Sequence, residues 1–360
     1  MHLFTPLIIG ALLTFFITPA VILLAKSKGW VDDPKRRYHP AHTHTGVVPR
    51  AGGLALFLGL AAGIFLFIPL TKLVIGILAA ATLLTVVGLA DDRKDVSPYL
   101  RMVTNVVAAL IVVGTGAGVP YVTNPFTGGV IPLDTWRISF EFFGPHSILV
   151  WADIVAFLWI MWTMNIVGWS AGVDGQMPGF VAISAFVLGL LALRFGLTDP
   201  SLVWITVLAL LVSGAFLGFL PWNFYPQKIM PGYSGKTLAG FFLALLGILS
   251  FAKLGTALLV LAVPTIDALY TLIRRLGRGK SPVWADRGHL HHRLLDLGWG
   301  KRRIALFYWG VSAILGAIAL MVNSQQKVFM LLLLAVAVGG FFVWVSFFTT
   351  FSNPPDPDNG

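Results

Sequence analysis

Residues 73–101 read LVIGILAAATLLTVVGLADDRKDVSPYLR, an apolar run that ends abruptly in a dense group of charges. The run 73–90 approaches the length of about 20 residues that a helix needs to cross the hydrocarbon core of a bilayer. The charges at residues 91–95 follow at once, and the chain then turns apolar again. The pattern predicts a membrane-spanning helix with two adjacent carboxylates, Asp91 and Asp92, at the bilayer surface. Carboxylates placed there suit the binding of a divalent cation against phosphate groups.

The composition assigns the whole chain to the membrane. Hydrophobic residues make up 57% of the 360 residues, and charged residues only 11%. A soluble domain of this size cannot bury so much apolar surface, so we predict an all-α, polytopic membrane protein. The chain has no cysteine, which excludes a disulfide framework, a thiol nucleophile and a zinc–thiolate site.

The apolar runs predict eleven transmembrane helices in one integral-membrane domain, residues 1–350, followed by a disordered cytoplasmic tail, residues 351–360. The first run is too long for a cleaved signal peptide and lacks its basic n-region. The predicted helices centre on residues 3–25, 51–70, 73–90, 102–118, 148–166, 179–197, 201–220, 237–252, 254–273, 304–322 and 328–349.

The distribution of basic residues predicts the orientation of these helices. The chain contains 25 lysines and arginines, of which 20 fall on one side of the predicted membrane and only 5 on the other. By the positive-inside rule, the basic loops face the cytoplasm and the N-terminus lies outside a cell inner membrane. The net charge of +10 is thereby explained without a nucleic-acid partner. The predicted cytoplasmic loops are 26–50, 91–101, 167–178, 221–236 and 274–303.

Two further features lie outside those loops. The segment 119–147 contains a Thr-Gly-Gly turn at Thr127–Gly129 between β-prone runs, which predicts a small external β-hairpin. Pro264 lies inside the ninth predicted span and should kink or break it. Asp267 follows one turn later, and both a functional role and the capping of the broken helix stay open for it.

The first cytoplasmic loop combines basic residues and histidines, among them His44 and Arg50, and Gly52–Gly53 follow directly after it. Such a loop at a membrane surface can bind the phosphate of a substrate. Anchoring to lipid headgroups is the alternative.

The third and fourth loops carry weaker signals. The third runs from Asn165 to Asp174–Gly175, where a turn-forming aspartate is the simpler interpretation. The fourth contains Asn223 and ends in glycines and Lys236 at the start of a helix. Helix N-termini favour phosphate, although glycine-rich connections between spans are also common without any ligand.

The last cytoplasmic loop carries the strongest signal, SPVWADRGHLHHR at residues 281–293. Its three histidines suggest a metal, but His291 and His292 are adjacent and would diverge by about 100° on a helix. Histidines beside Arg287 and Arg293 are more typical of a phosphate or nucleotide site. A metal site and a structural role are the alternatives.

In this order, the loops resemble the polyprenyl-phosphate N-acetylhexosamine-1-phosphate transferases over roughly residues 1–350. The closest branch puts N-acetylglucosamine 1-phosphate on undecaprenyl phosphate for lipopolysaccharide, enterobacterial-antigen or teichoic-acid synthesis, and its eleven spans agree with the prediction. DDRKD matches the family's paired-aspartate motif, and the histidine segment is the most diagnostic match. The other matches are His44 with Pro49–Arg50 and Gly52–Gly53, Asn165 with Asp174–Gly175, and Pro221-Trp-Asn223-Phe.

The chain also departs from the family pattern. Gly168 and Ala171 stand where the family has an asparagine and an aspartate, and Tyr233 replaces an aspartate that binds magnesium there. A neutral phenol is a poor ligand for a hard cation. Three interpretations stay open: the remaining aspartates hold the metal, Lys236 replaces part of its charge, or the transfer reaction has been lost.

The resemblance implies that a polyprenyl phosphate attacks the β-phosphate of a UDP-sugar and that UMP leaves. Mg²⁺ (or Mn²⁺) is the implied cofactor, and the implied catalytic residues and metal ligands are Asp91, Asp92 and Asp174. The implied partners are the UDP-sugar, undecaprenyl phosphate, membrane lipid and, as often in the family, a second copy in a homodimer. The implied substrate-binding residues are His44, Arg50, Asn165, Asn223, Lys236, Arg287, His289, His291, His292 and Arg293.

Two other classes compete with the enzyme. A catalytically degenerate relative would bind polyprenyl phosphate or a nucleotide sugar without transfer, as Gly168, Ala171 and Tyr233 suggest. The retained aspartate pair and the complete histidine segment oppose that interpretation. A secondary transporter would place its ionisable residues near the bilayer midplane, where Asp267 is the main candidate. The crowding of charges at one rim favours the enzyme.

Overall fold

The computed structural model describes residues 3–35, 43–44, 46–124, 126–141, 145–250, 254–277, 279 and 288–350. Most of this chain is helical. The helices are α1 (Thr5–Ser27), α2 (Gly52–Phe67), α3 (Lys72–Lys94), α4 (Pro98–Gly114), α5 (Val150–Trp169), α6 (Gln176–Gly196), α7 (Val203–Asn223), α8 (Gly232–Leu249), α9 (Leu254–Val260), α10 (Ala262–Leu276), α11 (Leu290–Asp296), α12 (Lys301–Met321) and α13 (Ser324–Thr350). The predicted tail, residues 351–360, lies outside the described residues.

Within the described part of the chain, eight helices are long and apolar enough to cross a membrane. The bent pair α9–α10 adds a ninth span if it is counted as one. The polytopic, mostly helical architecture is confirmed in this form, whereas the count of eleven is not. Two of the predicted spans are the shorter helices α2 and α4, of 16 and 17 residues. At about 1.5 Å per residue, each rises less than the roughly 30 Å of the hydrocarbon core.

Helix α8 lies at the centre of the bundle, where α2, α3, α5, α6, α7 and α9 pack around it. It is apolar and buried on nearly every side beyond its first turn, as expected for a helix enclosed by other helices. Between Ser324 and Phe341, helix α13 has almost no fully buried side chain, and Phe329, Leu332, Leu333 and Val336 are exposed, as on a helix that faces lipid. The central position of α8 places its N-terminal residues in the middle of one face of the bundle.

Helices α1 and α7 run parallel and approach closely because glycines remove side chains from their contact. Gly214 and Gly218 lie on α7, and a Cβ on them would fall 2.1 Å from the carbonyl oxygen of Leu7 and 2.0 Å from that of Ala11. Small residues spaced four apart allow this approach in membrane helices. The C-terminal ends of both helices therefore reach the same face, where the first and fourth predicted cytoplasmic loops begin.

The ninth predicted span is broken. Helices α9 and α10 meet at 80°, with Leu261 between them. Pro264 has no N–H to donate to the carbonyl of Val260, and its ring collides with that carbonyl in a continuous helix. The prediction that Pro264 breaks this span is confirmed.

Short antiparallel hairpins complete the described structure. Strands β1 (Val31–Asp32) and β2 (Val48–Pro49) pair within the first loop. Strands β3 (Tyr121–Thr123) and β4 (Val130–Pro132) flank the predicted Thr-Gly-Gly turn and confirm the hairpin there. Strands β5 and β6 form a third pair, with bounds Arg137–Glu141 and Pro145–Leu149.

Candidate functional site

A cavity of about 310 Å³ opens on the face of the bundle where α8 begins, within the size range of small-molecule sites. Its wall draws residues from all five loops that the charge distribution assigns to one side of the membrane. The structure thus brings together positions that are as far apart in the chain as 32 and 292. The predicted site residues that line it are His44, Arg50, Asp91, Asn223, Lys236, His289, His291 and His292.

Backbone hydrogen bonds join the first loop to the start of α8. Met230 N donates to Pro49 O at 2.8 Å, and Gly52 N donates to Met230 O at 2.9 Å. Gly53 lies so close that a Cβ there would fall 2.2 Å from Ser234 Oγ. These contacts require glycine in the PRAGG segment, and they hold the neighbouring Arg50 against the first turn of α8.

Asp92 lies beneath the cavity and binds the N-terminus of α8. Its Oδ1 accepts a hydrogen bond from Tyr233 N at 2.6 Å, and its Oδ2 accepts one from Ser234 Oγ at 2.6 Å. Arg50 Nε lies 3.4 Å from Oδ1. A Cβ on Gly232, which has φ +69°, would fall 2.3 Å from Oδ2. The carboxylate therefore satisfies N–H groups that the helix leaves unpaired and does not line the cavity.

Asp91, by contrast, lines the cavity, although the residue is fully buried. Its Oδ1 accepts hydrogen bonds from Arg101 Nε at 2.6 Å and from Val96 N at 3.1 Å. Its Oδ2 accepts no hydrogen bond within the described part of the chain, and Arg50 Nη2 lies 3.7 Å away. Asp91 is thus the member of the pair with an oxygen left to bind a ligand.

Three cationic side chains meet at this carboxylate pair. Arg50, Arg101 and Lys236 come from the first loop, from α4 and from the start of α8, and all three line the cavity. Burial alone lowers the pKa of Arg50, but nearby carboxylates, Asp92 foremost, raise that pKa above its ordinary value. The guanidinium therefore stays charged, and such a cluster is suited to binding phosphate oxygens.

Three histidines of the last loop, His289, His291 and His292, form another part of the wall. The rings of His289 and His291 lie parallel at 5.8 Å, and those of His291 and His292 lie 4.3 Å apart. Burial, followed by the two neighbouring histidines and Lys236, lowers the pKa of His291 well below its ordinary value, so this ring is neutral. Gly172 makes room for it, because a Cβ there would fall 1.9 Å from His291 Nε2.

Asp174 lies beside the cavity rather than in its wall. Its Oδ1 lies 3.1 Å from Lys301 Nζ, and its Oδ2 accepts a hydrogen bond from Gln227 N at 3.2 Å. The next residue, Gly175, has φ +76° and donates its N–H to Asn223 Oδ1 at 3.0 Å. The turn interpretation of Asp174–Gly175 is confirmed. Asn223 stabilises that turn through this hydrogen bond and also lines the cavity.

Two more predicted site residues do not line the cavity. Asn165 donates to Met161 O within its own helix at 2.7 Å. Arg293 donates to Gly288 O at 3.1 Å, and its guanidinium lies 5.1 Å from the ring centroid of Tyr270. Arg287 lies outside the described residues. Their predicted contacts with substrate stay predictions.

The predicted magnesium ligands Asp91, Asp92 and Asp174 do not form one cluster in this structure. Among the described residues, no three histidine, aspartate or glutamate side chains are arranged to hold a metal ion. Magnesium, however, usually binds one or two protein carboxylates and completes its shell with phosphate oxygens and water. Asp91 fits that mode because its Oδ2 accepts no hydrogen bond from any described residue, whereas the oxygens of the other two aspartates already bind protein groups.

Several cavity residues escaped the sequence analysis. Trp169 lines the wall with its ring 6.3 Å from that of His289, and Thr43 donates to Gly172 O at 3.0 Å. Tryptophan is common at the membrane interface near the ends of spans, so its presence at position 169 did not indicate a site residue. Arg101 did carry one, since it follows the acidic motif in the same loop.

Asp267 was left between two roles, and the structure distinguishes them. The residue at the start of α10, Leu261, receives no side-chain cap. The Asp267 carboxylate instead binds the start of α11, at His289 and Leu290. The capping of the broken helix is therefore not its role in this structure.

Comparison with known proteins gives consistent matches along the chain. The sequence model of the family described as glycosyl transferase family 4 matches residues 74–251. A probable undecaprenyl-phosphate N-acetylglucosaminyl 1-phosphate transferase of Bacillus subtilis is 30% identical, over 88% of this chain and 84% of that protein. A decaprenyl-phosphate N-acetylglucosaminephosphotransferase of Mycobacterium tuberculosis is 30% identical, over 97% and 90%. An undecaprenyl-phosphate alpha-N-acetylglucosaminyl 1-phosphate transferase of Escherichia coli is 28% identical, over 89% and 84%.

Proposed function

This chain belongs to glycosyl transferase family 4, and we propose that it transfers N-acetylglucosamine 1-phosphate from UDP-N-acetylglucosamine to a polyprenyl phosphate. Its relatives are named for transfer to undecaprenyl or decaprenyl phosphate. One observation carries the proposal: three cations, four histidines and a carboxylate, one oxygen of which accepts no hydrogen bond among the described residues, surround a single cavity. In a membrane protein, such a cavity at the end of the spans is accessible to a lipid phosphate and a nucleotide together.

The proposed reaction is a displacement at phosphorus. An oxygen of the polyprenyl phosphate attacks the β-phosphorus of the UDP-sugar and forms a new P–O bond. The bond from that phosphorus to the bridging oxygen breaks, and UMP leaves with the electron pair. The sugar remains on the membrane as a polyprenyl diphosphate. This chemistry demands positioning and neutralisation of charge more than covalent participation of the protein.

The arrangement of the side chains supports a role for each group. Arg50, Arg101 and Lys236 would bind and neutralise the phosphates of the two substrates. Asp91 would orient the polyprenyl phosphate, since its Oδ2 has no other hydrogen bond among the described residues. The histidine segment would bind the diphosphate and uridine portion of the donor. Fixed cations and dipoles of this kind stabilise the charge that develops in the transition state.

We extend the proposal to magnesium, for which Asp91 would provide the protein ligand. The ion would supply charge neutralisation at the diphosphate. Tyr233 lines the same cavity, with the Arg101 guanidinium 5.1 Å from its ring centroid. Tyr233→Asp adds a hard oxygen ligand and should lower the Mg²⁺ concentration for half-maximal activity, whereas Tyr233→Phe should not. An unchanged magnesium titration in Tyr233→Asp would argue that no ion lies beside position 233.

We also propose that the cavity faces the cytoplasm of the cell inner membrane, with the N-terminus outside. The natural absence of cysteine makes this directly testable with single-cysteine variants. Gly46 and Thr127 are exposed on the first loop and on the β3–β4 hairpin. In intact cells, a membrane-impermeant maleimide should label Thr127→Cys but not Gly46→Cys, and permeabilisation should expose the latter. The opposite labelling pattern would contradict the proposed orientation.

The predicted homodimer can be tested by cross-linking of the same single-cysteine variants.

The proposed activity is tested by UMP release. Purified protein with undecaprenyl phosphate and Mg²⁺ should release UMP from UDP-N-acetylglucosamine. Other UDP-sugars, tested in the same way, should release UMP more slowly. Omission of the lipid should abolish the release. Saturable binding of both substrates without any release of UMP would instead identify a catalytically degenerate relative.

A further inference from the structure

Asp267 is buried behind the histidine segment, where its carboxylate contacts two successive residues of another element. The side chain has no exposed surface. Its Oδ2 lies 3.1 Å from Nδ1 of His289, and its Oδ1 accepts a hydrogen bond from Leu290 N at 2.8 Å. Both oxygens are therefore engaged, and they hold the start of α11 against α10.

This contact determines which nitrogen of the His289 ring carries a hydrogen. An ionised carboxylate only accepts hydrogen bonds, so Nδ1 must be the donor. The neutral ring is thereby held in its Nδ1–H tautomer, and Nε2 is left available to the cavity that His289 lines.

We infer that Asp267 is a positioning residue that acts through His289, an inference that rests on the proposed transfer function of this cavity. Asp267 itself does not line the cavity, so its effect on a substrate passes through the imidazole. The carboxylate fixes both the tautomer and the orientation of the ring, and Nε2 meets the phosphorylated substrate in one defined state. A buried carboxylate that orients a histidine in this way is a general device of enzyme sites.

The groups around the pair are consistent with an orienting role. The His289 ring packs against His291, parallel at 5.8 Å, and against Trp169 at 6.3 Å. The other ionisable groups that act on these residues are His292 and Lys236, next to His291, and Tyr308, next to Asp267. Within the described ranges, no lysine or arginine forms an ion pair with Asp267, so the imidazole is its ionisable partner.

The tautomer can be tested without any measurement of activity. In wild-type protein with ring-¹⁵N-labelled histidine, the His289 signals can be identified by their loss in His289→Gln. They should report a protonated Nδ1 and a bare Nε2 in the neutral ring. In Asp267→Asn, the amide oxygen must still accept from Leu290 N, so the amide N–H faces Nδ1 and the hydrogen should move to Nε2. An Nε2–H tautomer in the wild-type protein would overturn the inference.

Kinetics then separate positioning from a purely structural role. Asp267→Asn should lower kcat for UMP release at least about 10-fold, with a smaller change in KM for the UDP-sugar. Thr271→Val, a buried polar position on the same helix, should keep the wild-type kcat. In a His289→Gln background, Asp267→Asn should cause no further loss. An equal loss of kcat in both backgrounds would contradict the inference. Absence of UMP release from the wild-type protein would instead refute the proposed function, and the tautomer test would still be valid.

Discussion

Asp92 Oδ2 accepts a hydrogen bond from Ser234 Oγ at 2.6 Å, which joins two residues that are 142 positions apart in the chain. The bond ties the acidic end of α3 to the first turn of the central helix α8. It holds Asp92 beneath the cavity, outside its lining, and leaves Asp91 in the cavity wall. The two adjacent aspartates therefore differ in their tasks, one structural and one at the ligand.

The first prediction concerns this contact between Asp92 and α8. Asp92→Ala would leave the N–H groups of Tyr233 and Ser234 unpaired and Arg50 short of a buried counter-charge. We expect it to lower the free energy of unfolding by on the order of 3 kcal/mol. Ser234→Ala removes one hydroxyl and should cost about 1 kcal/mol. Unfolding in mixed detergent micelles measures both, with Ser27→Ala, an exposed hydroxyl on α1, as the control. Equal stability of Asp92→Ala and wild type would refute the assignment.

A second prediction uses the close packing of Gly172 against His291. Gly172→Ala adds one methyl group, which would fall within 2.0 Å of the imidazole and must displace it. We expect UMP release to fall about 10-fold or more although no functional group has been removed. Gly310→Ala on α12 meets no atom within 4 Å and serves as the matched control. Full activity of Gly172→Ala would show that the position of His291 is not important for transfer.

The third prediction tests the pairing of Asp174 with Lys301, which the sequence did not indicate. Lys301→Met leaves the buried carboxylate without its cation and should destabilise the protein. Asp174→Asn in the same chain should recover part of the loss, because no charge is then left unpaired. A double-mutant cycle should give a coupling of about 1 kcal/mol or more. Arg303→Met on the same turn of α12 is the control, and purely additive losses would exclude the ion pair.

The fourth prediction is a pH dependence of stability. Burial holds the pKa of His291 well below its ordinary value, whereas in the unfolded chain this histidine titrates near about 6.5. Below that pH the unfolded chain binds a proton that the folded chain resists. The contribution to stability is therefore complete above about pH 6.5 and is lost as the pH falls.

The measurement is the melting temperature between about pH 7.5 and 5.5. His291→Asn, which cannot take up a proton, should flatten the decline relative to wild type. If His291→Asn keeps the full wild-type slope, another group is responsible for the acid sensitivity.

The sequence was sufficient to predict a polytopic, mostly helical architecture, because the length of an apolar run is a local property. The position of Pro264 also located the break between α9 and α10, since the clash of a proline with the preceding turn depends only on the helix itself. Helix α2 has 16 residues rather than the 20 of its predicted span, because the apolar run includes residues 51 and 68–70, which lie outside the helix. Helix α4 has the predicted 17 residues but begins and ends four residues earlier than the run 102–118. No property of the run alone separates those residues from the span.

The site was predictable as a set of loops but not as a geometry. Adjacent residues on a helix point about 100° apart, so Asp91 and Asp92 could not both face the cavity. Which one does so depends on α8, whose N-terminus takes the Asp92 carboxylate. The engagement of Asp174 by Lys301 spans 127 positions and follows from the packing of α12 against α6. Such long-range pairings leave no periodic trace in one sequence.

The central claim is that a sugar 1-phosphate, and not the sugar alone, moves to the lipid. UDP-N-acetylglucosamine labelled with ³²P at the β-phosphate and with ¹⁴C in the sugar distinguishes the two. With undecaprenyl phosphate, both labels should enter the lipid fraction in equal amounts while UMP accumulates. Asp91→Asn should lose this transfer by about 100-fold or more, and Asp199→Asn, at the start of the 3₁₀ turn before α7, should retain it. Transfer of the ¹⁴C label alone with release of UDP, or full activity of Asp91→Asn, would contradict the account.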